Sequence, residues 1–461
     1  MTGFTDRLAA YCAARGGGTG RADGPVRKHL LDWFGVAIGG AAHADSTPAL
    51  FAGTALGGPG GGAATVVPTG DRVPAETAAL VNGTLAHSLD FDDTHLGSSL
   101  HPGAPTVAAA LATAEATGAA SERLLAGIAA GYDVACTVGE AVNPDAHYVR
   151  GFHVTATCGT FGATAAAGVV RGLSRAQFAN AFGLNGSQAA GSLQFLENGA
   201  WNKRLHPGLA ARRAVTAVEL AAAGFEGGAE PIEGRFGFFA GYTEDPRPGA
   251  IDRLERRNAI AETGLKPYPC CRYLHPAIDA LVAVALAVDP SSVERIEIAL
   301  PEAGVRLTGD PIESKRRPEN FVDCQFSAPF AAALALSTGA AGAEPFLRAA
   351  GRLDEPPRYE ESAFRRLMDA TSVATDPDVQ AAFPERWCAR VVVEAETRHE
   401  RFVEVPYGEP ADPMSFEAVV QKARGLVEPA ETGVDVGGLA ETIEELPGRS
   451  VEELVAAATG E

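Results

Sequence analysis

Paired cysteine motifs are absent from this 461-residue sequence. Its seven cysteines are scattered and none forms a CxxC pair, so neither a disulfide framework nor a zinc ribbon is indicated. An iron–sulfur dehydratase would need about three well-placed thiolates, and only the adjacent Cys270 and Cys271 stand near polar segments. Free thiols in a reducing cytosol are therefore favoured.

Positive charge is also scarce, with 38 Lys and Arg against 58 Asp and Glu and a formal net charge of -20. Nucleic acid and anionic membranes are disfavoured as partners because the summed field repels polyanions. An anionic substrate must then be captured locally. A leader segment and an uninterrupted apolar run of ~18 residues are also lacking, so we expect a cytoplasmic protein.

Apolar residues make up 46% of the sequence, enough for two domains with full cores. From Arg27 to about Leu265 the pattern is helical, with Ala-rich runs at Glu76–Leu89, Pro105–Ala116, Ser121–Val138, Thr160–Arg171 and Pro207–Ala223. Most are too apolar for surface helices. They predict a closely packed bundle, and an apolar surface of this kind also favours a homodimer.

The pattern changes after Pro267. Alternation of period two predicts strands at Val293–Leu300, Ala389–Glu396 and Phe402–Val405. Helices are predicted at Ser327–Ser337 and Glu361–Met368, and a last helical segment is predicted to open at Asp412 and Pro413. We therefore predict a mainly α protein. A large helical domain, residues 1–265 rejoined by 408–461, carries a smaller α+β domain of residues 266–407.

Reactive side chains are concentrated in a few polar segments that are far apart in the sequence. We expect the fold to bring these segments together in one pocket. The richest is His87–Gly103, HSLDFDDTHLGSSLHPG. The others contain, in order, His153; Lys203, Arg204 and His206; and Lys266, Arg272 and His275.

A metal site is one alternative for the first segment, since it holds His87, Asp90, Asp92, Asp93 and His95. They cannot all point inward from one short segment, so we predict no metal. Asp92 and Asp93 are better explained as helix caps or as partners in a salt bridge. A thiol nucleophile at Cys270 or Cys271 would need a dedicated histidine base and is also disfavoured.

The ordered motifs HSLDFDDTH, HPGAPTVAAALA, GFHVTATCGTFGATAAAG, NKRLHPGLAA, KPYPCCRYLHPAID and FVDCQFSAPFAAALAL resemble the MmgE/PrpD family. The resemblance implies a helical domain with a smaller lid domain, usually a homodimer, and an active site between them that uses no metal or organic cofactor. The family includes 2-methylcitrate dehydratase, cis-aconitate decarboxylase and iminodisuccinate epimerase. Asp92 and Gly103–Pro105 depart from the LDFNDT and HPSDN stretches of the dehydratases, which argues against strict methylcitrate specificity.

By motif, the resemblance transfers the decarboxylase's site to six positions: Asp90, Thr94, His101, His153, Lys203 and His275. His101 and His153 would move protons, without a decision on which is acid and which is base. Lys203 would stabilise developing negative charge.

The remaining roles are assigned as follows. Asp90 would orient a histidine, and Thr94 would hydrogen-bond the substrate. His275 would arrive from the lid. Arg204, Lys266 and Arg272 complete the predicted substrate-binding residues. His87 is interpreted as structural, and His95, His147 and His206 are left outside the core site.

The leading hypothesis is a cofactor-independent lyase that removes water or carbon dioxide from a small di- or tricarboxylate. An isomerase of the same family, which removes and returns a proton at a carboxylate-bearing stereocentre, is the alternative. A catalytically silent dimeric binding protein is a third hypothesis. The expected partner is a small anionic carboxylate, and the exact substrate stays open.

Overall fold

The computed structural model describes residues 3–16, 23–54, 61–353 and 356–460. The chain divides into two compact units, one of Met1–Gly264 with Val419–Glu461 and the other of Leu265–Ala418. A mainly helical fold with a smaller α+β unit confirms the predicted fold class. The smaller unit ends at Ala418, whereas the residue pattern suggests that it ends at Tyr407.

Within the described residues, the N-terminal helices are α1 (Phe4–Ala13), α2 (Asp23–His43), α3 (Thr47–Gly53), α4 (Ala75–His87), α5 (Gly103–Thr117), α6 (Ser121–Ala141), α7 (Pro144–Val149), α8 (Val154–Arg171), α9 (Arg175–Gly186), α10 (Asn202–Ala222) and α11 (Phe238–Tyr242). The next helices are α12 (His275–Ala285), α13 (Glu302–Thr308), α14 (Ile312–Lys315), α15 (Phe321–Gln325), α16 (Ala328–Thr338), α17 (Ala343–Ala349), α18 (Ser362–Asp369) and α19 (Pro377–Ala382). The chain ends with α20 (Phe416–Val427), α21 (Val436–Glu444) and α22 (Val451–Thr459). The strands are β1 (Ala64–Thr65), β2 (Arg72–Val73), β3 (Arg295–Leu300), β4 (Thr371–Thr375), β5 (Ala389–Glu394) and β6 (Arg398–Val403).

Small residues allow the central helices of the first unit to pack closely. α4, α5, α6, α8 and α10 form one packed group, and most of their alanines are buried. Where α4 crosses α10, a Cβ atom on Gly208 would lie 2.2 Å from the Leu80 carbonyl oxygen, and one on Gly83 would lie 3.0 Å from the Gly208 Cα. Only glycine permits backbones to come this close. The crossing brings the C-terminal end of α4 beside the first turns of α10.

Helix α6 is long and apolar enough, by length and composition alone, to cross a membrane. However, 89% of its most apolar stretch is buried inside the protein, where it packs on α5 and α8. A helix that is apolar on all sides and covered by neighbours is typical of a protein core.

The second unit contains a four-stranded sheet in the order β4-β3-β5-β6. β3 runs parallel to β4 and antiparallel to β5, and β6 pairs antiparallel with β5. α12 packs on β5 and β6, and α16 packs on β4. Alternating burial in β3 agrees with the alternation in its sequence.

Two predicted boundaries in this region are wrong. The strand predicted at Phe402–Val405 is β6, which begins at Arg398; it is a mostly exposed edge strand, so burial imposes little alternation on it. The helix predicted to open at Asp412 and Pro413 begins instead at Phe416. The backbone N–H of Ala418 donates to Ser415 Oγ at 3.1 Å, so Ser415 supplies the helix cap.

Candidate active site

The polar segment joins α4, which ends at His87, to α5, which begins at Gly103. Asp90 has a φ of 51°, in the left-handed region that aspartate tolerates better than most residues. The chain therefore turns sharply after α4. Thr94 and Gly264 then form a short bridge, in which each backbone N–H donates to the other's carbonyl oxygen at 2.9 Å. The turn and the bridge fix the segment at both ends of its acidic stretch.

Asp93 anchors the segment to the helical core. Its Oδ2 accepts from the Tyr132 hydroxyl at 2.5 Å and lies 3.2 Å from His29 Nδ1. Its Oδ1 accepts from the backbone N–H of Gly103 at 3.0 Å, where a carboxylate also complements the positive end of the α5 dipole. Burial and then the negative charge of Asp93 raise the pKa of Tyr132 well above its usual value. Asp93 is therefore an internal support rather than a reacting group.

A buried lysine provides a second support. Lys422, on α20, donates to the Phe91 carbonyl oxygen at 2.8 Å and forms an ion pair with Asp32 Oδ1 at 2.6 Å. Its ammonium group also lies 4.0 Å from the centre of the Phe91 ring. Both charged side chains are almost completely buried. The backbone just before Asp92 is thus held by a desolvated charge pair.

Asp92 is the carboxylate that faces the histidines. Its Oδ2 accepts from His87 Nδ1 at 2.7 Å and lies 3.5 Å from His101 Nδ1. The two imidazole rings are 4.7 Å apart. His87 Nε2 is buried and has no hydrogen-bond partner among the residues that the structure describes. The pair of His87 and Asp92 therefore has the carboxylate–imidazole arrangement that we expected around Asp90.

The tautomer of His101 follows from its neighbours. His101 Nδ1 lies 2.7 Å from the Asp93 carbonyl oxygen, which can only accept a hydrogen bond. Nδ1 therefore carries the proton, and a neutral ring has its lone pair on Nε2. The backbone N–H of His101 donates to Thr155 Oγ1 at 3.1 Å, which fixes the residue against α8. His101 is thus oriented to use Nε2 as a base.

Three possible metal-ligand atoms meet here, on His87, Asp92 and His101, all within 4.8 Å of one another. Of the five residues considered as ligands in the sequence, this group contains His87 and Asp92, and it adds His101. His101 Nδ1 is already engaged with the Asp93 carbonyl oxygen, and His87 Nδ1 with Asp92. We therefore interpret the group as a proton-transfer arrangement.

A second pair of histidines lies beside the first. His153 precedes α8, and its Nδ1 is 3.0 Å from Nδ1 of His206 on α10. The ring of His153 is 6.0 Å from that of His87. Burial, and then the nearby His87, lower the pKa of His153 well below its usual value. Burial and His87 also lower the pKa of His206, to about 4. Both rings are therefore neutral near pH 7.

Lys203 lies in the first turn of α10 and donates to Asp90 Oδ1 at 2.8 Å. The side chain of Lys203 is 26% exposed and that of Asp90 is 11% exposed, so this ion pair has more access to solvent than the histidines. Lys203 is also close enough to His153 to lower its pKa. The structure thus gives Asp90 a lysine partner and leaves the histidine-facing position to Asp92.

Thr94 and Arg204, two predicted binding residues of the helical unit, have different surroundings. Thr94 Oγ1 lies 3.5 Å from His101 Nδ1, at the edge of the histidine group. Arg204 is buried, donates to Ser46 Oγ at 3.2 Å and lies beside the Trp201 ring. Successive helical residues point about 100° apart, so the neighbour of Lys203 reaches towards α3.

The other predicted residues belong to the second unit. Arg272 forms a buried ion pair with Glu409, with Nε 2.8 Å from Oε1. It also donates from Nη1 to His275 Nδ1 at 2.6 Å, so His275 carries its proton on Nε2, 3.3 Å from the Cys270 carbonyl oxygen. Lys266 is buried in the same unit. The participation of Lys266, Arg272 and His275 in the site stays a prediction.

Comparison with protein families gives matches along both units. The MmgE/PrpD N-terminal domain matches residues 21–250, and the MmgE/PrpD C-terminal domain matches residues 268–437. The chain belongs to the MmgE/PrpD family.

Curated relatives of this MmgE/PrpD chain share one activity name. The cis-aconitate decarboxylase of Mus musculus is 24% identical over 369 residues, covering 77% of this chain and 72% of the relative. A cis-aconitate decarboxylase-like protein of Aspergillus oryzae is 24% identical over 356 residues, 72% of this chain and 71% of the relative. The Homo sapiens cis-aconitate decarboxylase is 28% identical over 244 residues, half of each protein.

Three residues of the cluster in this MmgE/PrpD protein were not assigned to the site from the sequence: His87, Asp92 and His206. The spacing of His206 contains a usable signal, because residues three apart share a helix face and His206 follows Lys203 by three. His87 and Asp92 meet across a loop whose conformation depends on the left-handed Asp90, which the sequence does not specify.

Proposed function

We propose that this MmgE/PrpD protein is a cofactor-independent lyase that removes carbon dioxide or water from a small di- or tricarboxylate. The proposal rests on one observation: buried imidazoles lie beside the half-buried ion pair of Lys203 and Asp90. The names of the mouse and A. oryzae relatives make cis-aconitate the first substrate to test.

Lys203 is the proposed contact for a substrate carboxylate. An ammonium group has three N–H donors, so Lys203 can hold Asp90 and still bind a second carboxylate. Because the whole chain has a net charge of -20, such a fixed positive charge is needed to attract an anion. One preorganised donor of this kind contributes about 3 to 4 kcal/mol to a developing oxyanion.

Both eliminations depend on proton transfer between the substrate and the protein. In decarboxylation, the C–C bond to the leaving carboxylate breaks, the electron pair passes into the remaining unsaturated acid, and a histidine protonates carbon. In dehydration, a histidine removes a proton beside a carboxylate, the electron pair forms C=C, and hydroxide leaves with a proton from an acid. Either transfer contributes about 10²- to 10⁴-fold in rate. We assign these roles to His101, which has its lone pair on Nε2, and to His153, which is hydrogen-bonded to His206.

The negative charge of a bound substrate would also control the protonation of His153. Burial and cationic neighbours keep His153 neutral in the free protein. A bound di- or tricarboxylate brings opposite charge, which raises the pKa of nearby imidazoles. The histidine is thus protonated preferentially when an anion occupies the site, as decarboxylation requires because that reaction consumes a proton.

Proton NMR in deuterated water tests the proposal. Purified, chelator-treated protein is mixed separately with cis-aconitate, citrate, 2-methylcitrate and iminodisuccinate. We expect carbon dioxide release or new vinyl signals from at least one acid. Deuterium exchange without either product would favour the isomerase. No reaction with any acid, or activity that returns only with a divalent ion, would contradict the cofactor-independent lyase.

Replacement of Lys203 tests the site itself. Lys203→Met should lower kcat by about 10²- to 10³-fold, as loss of one oxyanion donor does. Arg212→Met is the matched control, because Arg212 is an exposed cation on the same helix. Unchanged turnover in Lys203→Met, or equal losses in both variants, would contradict the assignment.

A further inference from the structure

The contact between His153 and His206 joins two nitrogens of the same kind. Their Nδ1 atoms are 3.0 Å apart, and their ring centres are 5.2 Å apart at an interplanar angle of 39°. Both residues are buried, with 3% and 6% of their surfaces exposed. The contact is therefore a hydrogen bond within the protein interior, and its proton must be accounted for.

The two neutral rings must carry their protons on different nitrogens. A neutral imidazole has one N–H, on either Nδ1 or Nε2. Because the hydrogen bond requires one donor and one acceptor, one ring carries its proton on Nδ1 and the other carries its proton on Nε2. The pair thus presents one Nε2 lone pair and one Nε2–H. The shared proton can move to the other ring only when the ring that gives it up gains a proton at its own Nε2, because transfer alone would leave an imidazolate beside an imidazolium.

Local packing limits how the rings can turn. The backbone N–H of His153 donates to the Gly191 carbonyl oxygen at 2.9 Å. A Cβ atom on Gly191 would lie 3.4 Å from His206 Nδ1 and 2.2 Å from the Ala156 Cβ, so this loop also approaches the His206 ring closely. The Phe195 ring packs edge-on against both histidines. These contacts favour a preorganised pair over two independent side chains.

The electrostatic surroundings disfavour a second proton on the pair in the free protein. The groups that face one or both rings are His87 on α4, His101 before α5, and Lys203 and Arg213 on α10. All are cations or become cations on protonation, and Asp90 is paired with Lys203. The neutral complementary state is therefore the one that meets the substrate.

We infer that His206 is a positioning residue that sets the tautomer of His153 and exchanges a proton with it during turnover. This inference rests on the proposed function, in which His153 exchanges a proton with the substrate. If His153 Nε2 gains a proton from carbon, its Nδ1 proton can pass to His206 Nδ1. His153 is then neutral with Nε2–H, and His206 holds the positive charge. The reverse transfer restores the starting state.

A series of substitutions separates this role from simple packing. His206→Asn keeps an amide near the position of Nδ1, whereas His206→Gln places its amide further out, near the position of Nε2. The Asn amide can fix the tautomer of His153 but cannot take its proton, whereas the Gln amide does neither. We therefore expect kcat to fall by about 10-fold in the Asn variant and by about 100-fold or more in the Gln variant, within the range of a lost proton transfer. Equal kcat losses in the two variants would overturn the inference.

An acceptor-only variant tests the pH dependence. The carboxylate of His206→Asp should hold the His153 proton on Nδ1 and favour the imidazolium. The acidic limb of the kcat/KM profile should therefore move to higher pH by about 1 to 3 units, as a nearby opposite charge shifts a pKa. An unmoved limb would count against the inference, because a structural role alone predicts altered rates without this shift.

Nitrogen NMR of the full-length protein labelled in histidine gives a readout independent of activity. Wild type should show one Nδ1–H and one Nε2–H tautomer for the two residues, and His206→Gln should change the tautomer of His153. Two Nε2–H rings in wild type would overturn the inference. If the complementary tautomers are found but His153→Asn is fully active, the pair stands and the proposed catalytic role of His153 fails. Thermal unfolding checks that each variant is folded.

Discussion

Acidification should destabilise the helical unit through its buried histidine pair. Burial, followed by the effect of His87, lowers the pKa of His206 from 6.5 to about 4. The same side chain titrates near 6.5 in an unfolded chain. Between these values the unfolded state binds a proton that the folded state does not. His206 therefore has no effect above about pH 6.5, and it reduces stability progressively as the pH falls from 6.5 towards 4.

The magnitude follows from the size of the shift. One pH unit corresponds to about 1.36 kcal/mol, so between pH 6.5 and 4.5 His206 should cost about 2.5 kcal/mol of unfolding free energy. His206→Asn removes the proton-binding group. Between pH 7 and 4.5 the variant should therefore lose about 2.5 kcal/mol less stability than wild type, in urea unfolding followed by tryptophan fluorescence.

The control is His399→Asn, which removes a histidine from β6 in the other unit. It should leave the pH dependence of the helical unit's transition as in wild type. If His206→Asn and wild type lose the same free energy on acidification, the histidine pair is not held neutral by burial, and the protonation argument for the site is refuted.

Three further predictions concern the supports of the site. Asp92→Asn should lower kcat/KM by about 10- to 100-fold with the fold retained, because the amide no longer favours an imidazolium; circular dichroism and steady-state kinetics check this. Lys422→Met should cost about 3 to 5 kcal/mol in urea unfolding because Asp32 is left buried without its cation, and adding Asp32→Leu should recover most of that loss. Gly208→Ala should destabilise by about 1 to 3 kcal/mol, since the new Cβ would meet the Leu80 carbonyl, and turnover should fall with it.

The start of α10 illustrates a limit of prediction from sequence. The Ala-rich run of the sequence predicts a helix from Pro207, whereas α10 begins at Asn202 and contains this proline. Pro207 has no N–H for the Lys203 carbonyl, so local sequence alone does not favour the turn that carries Lys203. Contacts with the rest of the helical unit stabilise that turn, and they place Lys203 on a helix.

The ordered motifs were sufficient for the family and the fold class, because both depend on residue identities and on hydrophobic periodicity. They were not sufficient for the direction of each carboxylate. Asp90 and Asp92 are two residues apart, yet one contacts Lys203 and the other contacts His87. Their separation follows from a left-handed turn at Asp90, a conformation that many aspartates in loops do not adopt.

The close crossing of α4 and α10 explains why the approach of His87 to His206 was not predicted. His87 follows Gly83 by four residues, so the two share a face of α4. His206 precedes Gly208 by two residues. Because the backbones nearly touch at the two glycines, His87 is close enough to His206 to lower its pKa. An Ala- and Gly-rich composition predicts that helices pack closely, but it does not specify which glycines meet. The proton chemistry proposed for this chain thus depends on a backbone contact, and the reactive residues acquire their properties only when that contact forms.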